Sequence, residues 1–547
     1  MAETKNLGTV RKDFYEILRN TEMKDSINLQ NLKGTDDFSP ARMAVRNRVM
    51  GVLKKNFERY GYLPLETSTL CSYELLAYKY AGGAEILKEM YAAIDQGERA
   101  IGLRYDLTVP FSRFIGTHLP KAEIRLPFRR YEIGKVYRDG PVKTGRSREF
   151  YQCDVDVVGL SGQLVESEFF KMITEAYTEL GIRPTVEYNN RKFLSGLMAE
   201  CGIGGDYTSA AILCLDSYKK HGEEYVRKEL KKVGYDFSAY TFLNEYLACH
   251  TPEDLTEKLC SLSLQQLNEL FAVTDETEAN KLKKQVLSAR SCMAAYGKEA
   301  FLAKLAEMQK PDADCILRTV PDESIDKVFA YLNLPYAELI SRFAESDNSD
   351  LKEGLAEIET LRSYIEALGI SEYCVFMPTL ARGLEIYTGT IWEVFDSLGR
   401  TQSALGAGGR YDKIITRFMN DGKAYPAVGM SFGLEPICAL LTQTEEKTRS
   451  AVDLYIIPMG KDMGIKALRL ADAFRKNGCN AMVDMTGRKM KFGLDYANNE
   501  KIEYVIIYGS NEEETGSFQL KNMFDKEKSK TVTMEQVLSV PFADLTK

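Results

Sequence analysis

Residues 129–159 read RRYEIGKVYRDGPVKTGRSREFYQCDVDVVG. The segment opens with apolar and polar residues alternating through Tyr131, Ile133, Lys135 and Tyr137, the pattern of a half-buried strand. Arg138 ends that strand, and Asp139-Gly140-Pro141 turns the chain, since glycine and proline interrupt regular structure. The following loop carries Lys143, Arg146 and Arg148. A second alternating run starts at Glu149-Phe150-Tyr151-Gln152 and passes through Asp154 and Asp156 to Gly159. The spacing predicts a hairpin with three arginines around its bend. Residues two apart share a face of a strand, so Gln152, Asp154 and Asp156 point the same way. Arginine offers fixed, multidentate donors for phosphate oxygens, and acidic and amide groups beside it suit an amine or an imidazole. On charge density alone, an exposed hairpin with solvated charges is the more economical reading.

Working outward, 547 residues leave room for two or three domains, each able to bury a core. The net charge of -8 advertises no global basic field, which leaves nucleic acid open only through clustered lysines and arginines. The 11 cysteines include no CxxC pair, so neither a zinc site nor a disulfide framework is expected, and a reducing cytosol is. His118, His221 and His250 are too dispersed for a histidine-rich metal centre. The polar N-terminus and the lack of a long apolar run predict a cytoplasmic protein without a membrane partner.

In chain order, a polar lead with a weak helical pattern at Val10–Leu18 precedes a turn at 34–40. Ser39 is placed to cap a helix with Pro40 in its first position. That helix runs to about Tyr60 with a Val45, Val49, Val52, Phe57 stripe, and Leu63–Leu70 reads as a strand. Ile101–Phe111 (IGLRYDLTVPF) reads as a strand ending in a turn at Pro110, with Asp106 and Thr108 on one face. Val165–Leu180 reads as a helix and Thr185–Tyr188 as a strand. From Cys201 to Leu368 the pattern is mostly helical. The charged runs Lys219–Lys232 and Glu276–Lys284 are better read as solvated helix faces than as RNA contacts. Strands at Cys374–Met377 and Ile391–Phe395 flank the segment LARGLEIYTG at 380–389. The glycine-rich 406–412 stretch lacks a GK[ST] ending and so is no P-loop. After a polar linker at 442–450, strands at Val452–Pro458, Ala481–Val483 and Tyr504–Tyr508 alternate with a helix at Met463–Lys476. That order predicts a small α/β domain with a mixed sheet. Arg488-Lys489-Met490-Lys491 concentrates positive charge before a further helix.

The hairpin, with its GR-x-REF-x-Q-x-D-x-D order, resembles motif 2 of class II aminoacyl-tRNA synthetases in the form found in the histidyl-tRNA synthetase family. Residues 380–389 resemble that family's histidine signature, 101–108 its LRYDLT segment, 406–412 its GGRYD segment, and 427–436 motif 3. The helix and strand at 40–70 correspond to the dimer-forming motif 1, with Ser68 where a proline is expected, and 451–547 resembles the class IIa anticodon-binding domain. The resemblance implies an α+β catalytic domain, an antiparallel sheet flanked by helices, with a helical insertion and a C-terminal α/β anticodon-binding domain. The boundaries expected are an extension at 1–33, catalytic parts at 34–190 and 371–442, an insertion at 191–370 and the last domain at 451–547.

The resemblance further implies a homodimeric histidine–tRNA ligase. It would activate L-histidine with ATP and Mg²⁺ and transfer it to tRNA(His). Histidine would be bound by Asp106, Thr108, Arg138, Gln152, Asp156, Arg382, Ile386 and Tyr387. Among these, Asp106 and Thr108 hold the amino group, Arg382 contacts the α-phosphate and the carboxylate, and Tyr387 lines the imidazole pocket. Ile386 stands where many relatives carry a second tyrosine. Arg138, Arg146, Arg148, Glu149 and Arg410 would meet ATP, with Arg138 and Arg382 as the catalytic cations and no protein metal ligands. Pro436 stands where motif 3 ends in an arginine that stacks on adenine, and Arg146, Arg148 or Arg410 are candidates to compensate. The alternative is a non-catalytic regulator, either a histidine-biosynthesis subunit or an uncharged-tRNA sensor. Pro436 and Ser68 favour it, and the intact Arg138, Gln152, Asp156 and Arg382 set opposes it. A class II-like ligase for another amino acid is disfavoured by residues 380–389.

Overall fold

The hairpin forms as its alternation predicts: strands Phe128–Tyr137 and Glu149–Val158 pair antiparallel, with Arg130 opposite Asp156, Glu132 opposite Asp154 and Gly134 opposite Gln152. The computed structural model describes residues 29–78, 89–142, 147–205, 207–233, 276, 277, 280, 320–382, 386–444 and 450–546. The pattern at Val10–Leu18, the bend residues Lys143 and Arg146, and most of Glu276–Lys284 lie outside these residues. The chain divides into two units, one of residues 1–186, 364–374 and 393–547, the other of 187–363 and 375–392.

In the first unit the hairpin sits inside a sheet. Leu63–Pro64 pairs parallel to Phe128–Tyr137 on one side, and the return strand pairs antiparallel to Ala427–Gly433, which in turn pairs antiparallel to Gly406–Arg410. One face is apolar: Phe57 of helix Pro40–Arg59 meets the rings of Tyr131 and Phe432 at 5.4 and 5.5 Å, and Tyr177 of helix Leu164–Glu179 meets Phe432 at 5.5 Å. Ser39 caps the first of these helices through Arg42 N, with Pro40 in its opening turn. The opposite face carries the charges. The C-terminal α/β part forms a mixed sheet in the order Ala481–Val483, Leu454–Pro458, Tyr504–Tyr508, Ser517–Asn522, Lys530–Thr533, with the first three parallel. Its own core includes Leu454, Ile456, Leu470, Phe474, Ile506 and Phe518.

Two expected strands are corrected. Leu63–Leu70 is not continuous but breaks into Leu63–Pro64 and Leu70–Ser72. Between them side chains take the backbone that a ladder would have used: Thr67 N donates to Glu132 Oε1 at 2.9 Å, and Arg104 Nη1 donates to Thr67 O at 2.8 Å. The Ile101–Phe111 strand ends at Leu103, and a helix runs from Thr108 to His118. Asp106 drives that change, since its Oδ1 accepts from Val109 N at 2.9 Å and so satisfies a first-turn donor. Pro110 falls in the first helical turn, where its missing N–H costs nothing.

The second unit is mostly helical where described, with Arg191–Glu200, Tyr207–Leu215, Tyr218–Lys232, Asp322–Leu332, Tyr336–Phe343 and most of Ser349–Ala367, beside parts of the strands Pro184–Asn190, Cys374–Phe376 and Thr390–Asp396. The charged helix from Tyr218 is a solvated face, pairing Arg227 with Glu223 and Asp326, and Lys231 with Asp322. Helices Arg191–Glu200 and Ser349–Ala367 cross at two glycines. A methyl group at Gly354 would lie 2.2 Å from Phe193 N, and one at Gly196 2.4 Å from Leu351 N. Alanine is the better helix former, yet the backbone contact decides the sign. Gly354→Ala is expected to destabilise this unit by about 1–3 kcal/mol, read by denaturant unfolding followed through the fluorescence of Trp392, the protein's single, fully buried tryptophan.

Candidate active site

The charged face of the first unit's sheet is built from strand positions two apart. The outgoing strand contributes Arg130, Glu132 and Gly134, and the return strand Asp156, Asp154 and Gln152 in register with them. The next strand offers Gly429, Ser431 and Gly433 opposite the same three. Arg130, Glu132, Asp154 and Asp156 are all at most 5% exposed. Buried charges persist only when paired, and Arg130 is the centre of the pairing. Its Nη2 lies 2.8 Å from Asp156 Oδ2, an ion pair without hydrogen-bond alignment, and its Nη1 lies 3.5 Å from Glu132 Oε2. The guanidinium carbon sits 4.4 Å from the Phe111 ring centre, a cation–π lid. Burial acts against the charge on Arg130, but Asp156, Glu132 and Asp154 overcome it and raise its proton affinity. Glu132 is shared with Arg104, whose Nη1 donates to Glu132 Oε1 at 2.9 Å.

Asp156 is oriented from a second side, where the buried Tyr411 hydroxyl donates to its Oδ1 at 2.5 Å. Burial first, and then Asp156, push the Tyr411 phenol well above its ordinary range, so it stays a donor. A glycine is required beneath this carboxylate, because a methyl group at Gly429 would lie 1.9 Å from Asp156 Oδ1. Gln152 Oε1, Asp154 Oδ1 and Arg130 Nε are buried and make no hydrogen bond among the described residues. Burial pushes Asp154 up to about 7; Arg130 and Ser431 act against that rise, and Asp156 and Asp106 reinforce it.

Arg138 lies at the end of the outgoing strand. Its guanidinium carbon is 4.3 Å from the Tyr105 ring centre and 5.0 Å from that of Phe150, and its Nε donates to Tyr105 O at 3.3 Å. Two rings and one carbonyl fix the plane of the fork. Arg148 is tied to the hairpin neck by Asp139 at 3.1 Å and by its backbone N–H to Gly34 O at 2.7 Å, and Glu149 pairs with Lys135 across the strands. In the second unit, the Arg382 guanidinium carbon stands 5.9 Å from the Tyr387 ring centre, with Ile386 half-buried beside them.

Two expectations change here. Arg410 is not available to ATP: its Nε and Nη2 fork onto Glu166 at 2.7 and 2.9 Å, while Nη1 and Nη2 donate to Leu160 O and Gly162 O at 3.0 and 2.6 Å. Its guanidinium is a buried brace between strand and helix. Asp106 and Thr108 do not share a strand face but stand at the start of a helix. The residues that went unread were Arg130, Tyr411 and the Arg104–Glu132–Thr67 cluster. The one legible signal is the opposite charges of Arg130 and Glu132 at strand period, a pattern that an exposed hairpin with solvated charges also shows. Pro436 is the third residue of helix Leu434–Thr444, where a proline removes no intrahelical bond.

Residues 34–280 and 285–437 match the family described as Histidyl-tRNA synthetase, and residues 453–540 match the Anticodon binding domain. The chain belongs to the histidyl-tRNA synthetase family. It is 37% identical over 496 residues to Histidine--tRNA ligase 1 of Bacillus cereus (strain ATCC 10987 / NRS 248), which spans 90% of this chain and 93% of that one. Histidine--tRNA ligase 2 of Shouchella clausii (strain KSM-K16) is 36% identical over 495 residues, covering 90% and 96%. In fold the chain is similar to the crystal structure of histidyl-tRNA synthetase from Nostoc sp. PCC 7120, with a TM-score of 0.66 and 22% identity over 94% of this chain and 99% of that one. The mixed, largely antiparallel sheet flanked by helices, followed by a C-terminal α/β part, is thus the architecture of this synthetase family.

Proposed function

We propose that this synthetase-family protein is a histidine–tRNA ligase: it activates L-histidine with ATP to the adenylate and transfers it to the 3′ end of tRNA(His). The observation that carries this reading is the row of half-buried Gln152 and buried Asp154 and Asp156, held from beneath by Arg130 and Tyr411, on the same hairpin that ends in the ring-clamped Arg138. Such a row suits a small molecule rich in N–H donors. Attack of its carboxylate on the α-phosphorus brings two anions together, so catalysis rests on placed cations and on holding the reactants in line.

We assign Asp106 and Thr108 to the ammonium group, Gln152 and Asp156 to the amine and carboxylate environment, Ile386 and Tyr387 to the imidazole pocket, and Arg382 to the α-phosphate and the histidine carboxylate. Arg138, Arg148 and Glu149 face ATP, and Arg146 at the hairpin bend joins them. Selectivity for histidine would come from polar groups left unpaired by other amino acids, an arrangement that rejects wrong substrates strongly. Mg²⁺ would arrive as the complex of the ATP phosphates. Transfer to tRNA needs no protein nucleophile. A homodimer working in the cytoplasm completes this reading.

Pro436 does no harm to the helix it enters, and no feature of the described residues favours the non-catalytic regulator. The deciding experiment is amino-acid-dependent ATP–pyrophosphate exchange. Histidine alone among the amino acids should support exchange, and Arg382→Ala should lower it by about 100-fold or more. A folded protein that binds tRNA(His) yet shows no exchange would sink the ligase reading in favour of a regulator.

A further inference from the structure

We infer that Asp154 is a further histidine-binding residue, whose uncommitted carboxyl oxygen accepts a hydrogen bond from the incoming ammonium group while the carboxyl gives up its own proton. The inference rests on the histidine reading above and adds to it a residue and a coupled proton.

Four carboxyls, those of Asp106, Glu132, Asp154 and Asp156, meet around two guanidinium groups, those of Arg104 and Arg130. Arg104 is committed to Glu132, with Nη1 2.9 Å from Oε1, and Arg130 to Asp156, with Nη2 2.8 Å from Oδ2. Asp106 Oδ1 is occupied by the N–H of Val109. The four carboxyls thus outnumber the two guanidinium groups, and Asp154 keeps one carboxyl oxygen, Oδ1, without a hydrogen bond among the described residues. The groups that face it are Glu132 and Arg130 from the outgoing strand, Asp156 and Gln152 from its own, Ser431 from the adjoining strand, the Tyr411 phenol, and Asp106 from the segment before the helix. Only Arg130 among them is a cation.

Asp154 is 5% exposed, and its Oδ1 and the Gln152 Oε1 make no hydrogen bond among the described residues. Two acceptors on one strand face call for a partner with several N–H groups, and an ammonium offers three, where an imidazole offers two that diverge. Without a bound cation, burial first and then the neighbouring Asp156 favour a proton on Asp154, in line with its upward shift to about 7. The ammonium supplies the positive charge instead, so the bound state leaves Asp154 as a carboxylate and one proton passes to solvent. A cation competing with a proton for one carboxylate binds more weakly as pH falls through the pKa of the empty site.

The test is titration calorimetry with L-histidine from pH 6 to pH 8, in buffers of different ionisation enthalpy. Wild type should bind about tenfold more weakly at pH 6 than at pH 8 and release close to one proton at the lower pH. Asp154→Asn, nearly the same shape, should lose about tenfold or more in affinity at pH 8 and keep only the shallow dependence owed to histidine's own imidazole, with ATP binding intact as the sign of a sound fold. Ser431→Ala removes a group that favours the carboxylate, so its pH midpoint should move upward, which decides the matter should the asparagine variant not fold. Unchanged affinity and unchanged proton release in Asp154→Asn, or an unmoved midpoint in Ser431→Ala, would overturn the role of Asp154 alone. Wild type that binds no histidine at any pH would overturn the ligase reading itself.

Discussion

Arg130→Leu is expected to lose about 3–5 kcal/mol of folding stability, the cost of breaking a buried ion pair from one side. The leucine fills part of the space under Phe111, so the loss is not chiefly one of packing. It arises because Asp156 and Glu132, both buried, are left charged and, together with Asp154, lose the one cation among the described residues that faces all three. Arg104 cannot move to replace it, since its fork is held by Thr67 O at 2.8 Å and Lys135 O at 2.7 Å. Denaturant unfolding followed by circular dichroism reads the loss directly. The sign of its pH dependence is a second check. Carboxylates stripped of their cation have raised pKa values, so the deficit relative to wild type should shrink as pH falls towards 5 and protonation removes the unpaired charge. A deficit below about 1 kcal/mol at pH 8 would mean that these carboxyls find water or protons in the folded state and that Arg130 is not the keystone of the nest.

Arg138→Ala should act on chemistry and leave the fold standing. The side chain is half-buried and donates one hydrogen bond, through Nε, to Tyr105 O among the described residues, so its removal uncovers no buried charge. Its stacking between Tyr105 and Phe150 fixes where the terminal N–H groups aim before any substrate arrives. A preplaced cation at a developing phosphate charge supplies about 2.7–4 kcal/mol, so histidine-dependent pyrophosphate exchange should fall by about 10²–10³-fold in rate. Arg138→Lys should recover little of this, because an ammonium is a point charge that neither stacks in the ring clamp nor forks onto two oxygens. Exchange at the wild-type rate in Arg138→Ala would reduce the residue to a spacer between two rings.

How much of this could be read without coordinates depends on the range of the forces involved. The hairpin at 129–159, the Ser39-capped helix with Pro40 in its first turn, the helix Met463–Lys476 and the strands of the last unit are local products of periodicity and capping, and their residues announce them. The candidate residues Arg138, Gln152 and Asp156 were legible too, because strand period put them at known positions on one hairpin. Where side chains from afar intervene, local reading fails. Leu63–Leu70 would have been a strand had Glu132 and Arg104 not taken the backbone groups of Thr67. Arg410 has the type and spacing of a phosphate ligand, but Glu166, 244 residues earlier, claims it.

By itself, then, the order of residues determined most of the strands and helices, and which family's motifs they carry, since both follow from near-neighbour chemistry along the chain. Only the tertiary structure decided which charges are buried and whom they serve. The value of a carboxylate at 154 or an arginine at 130 is set by water exclusion and by partners that pairing of distant strands brings within 3 to 4 Å, and no local pattern records that distance.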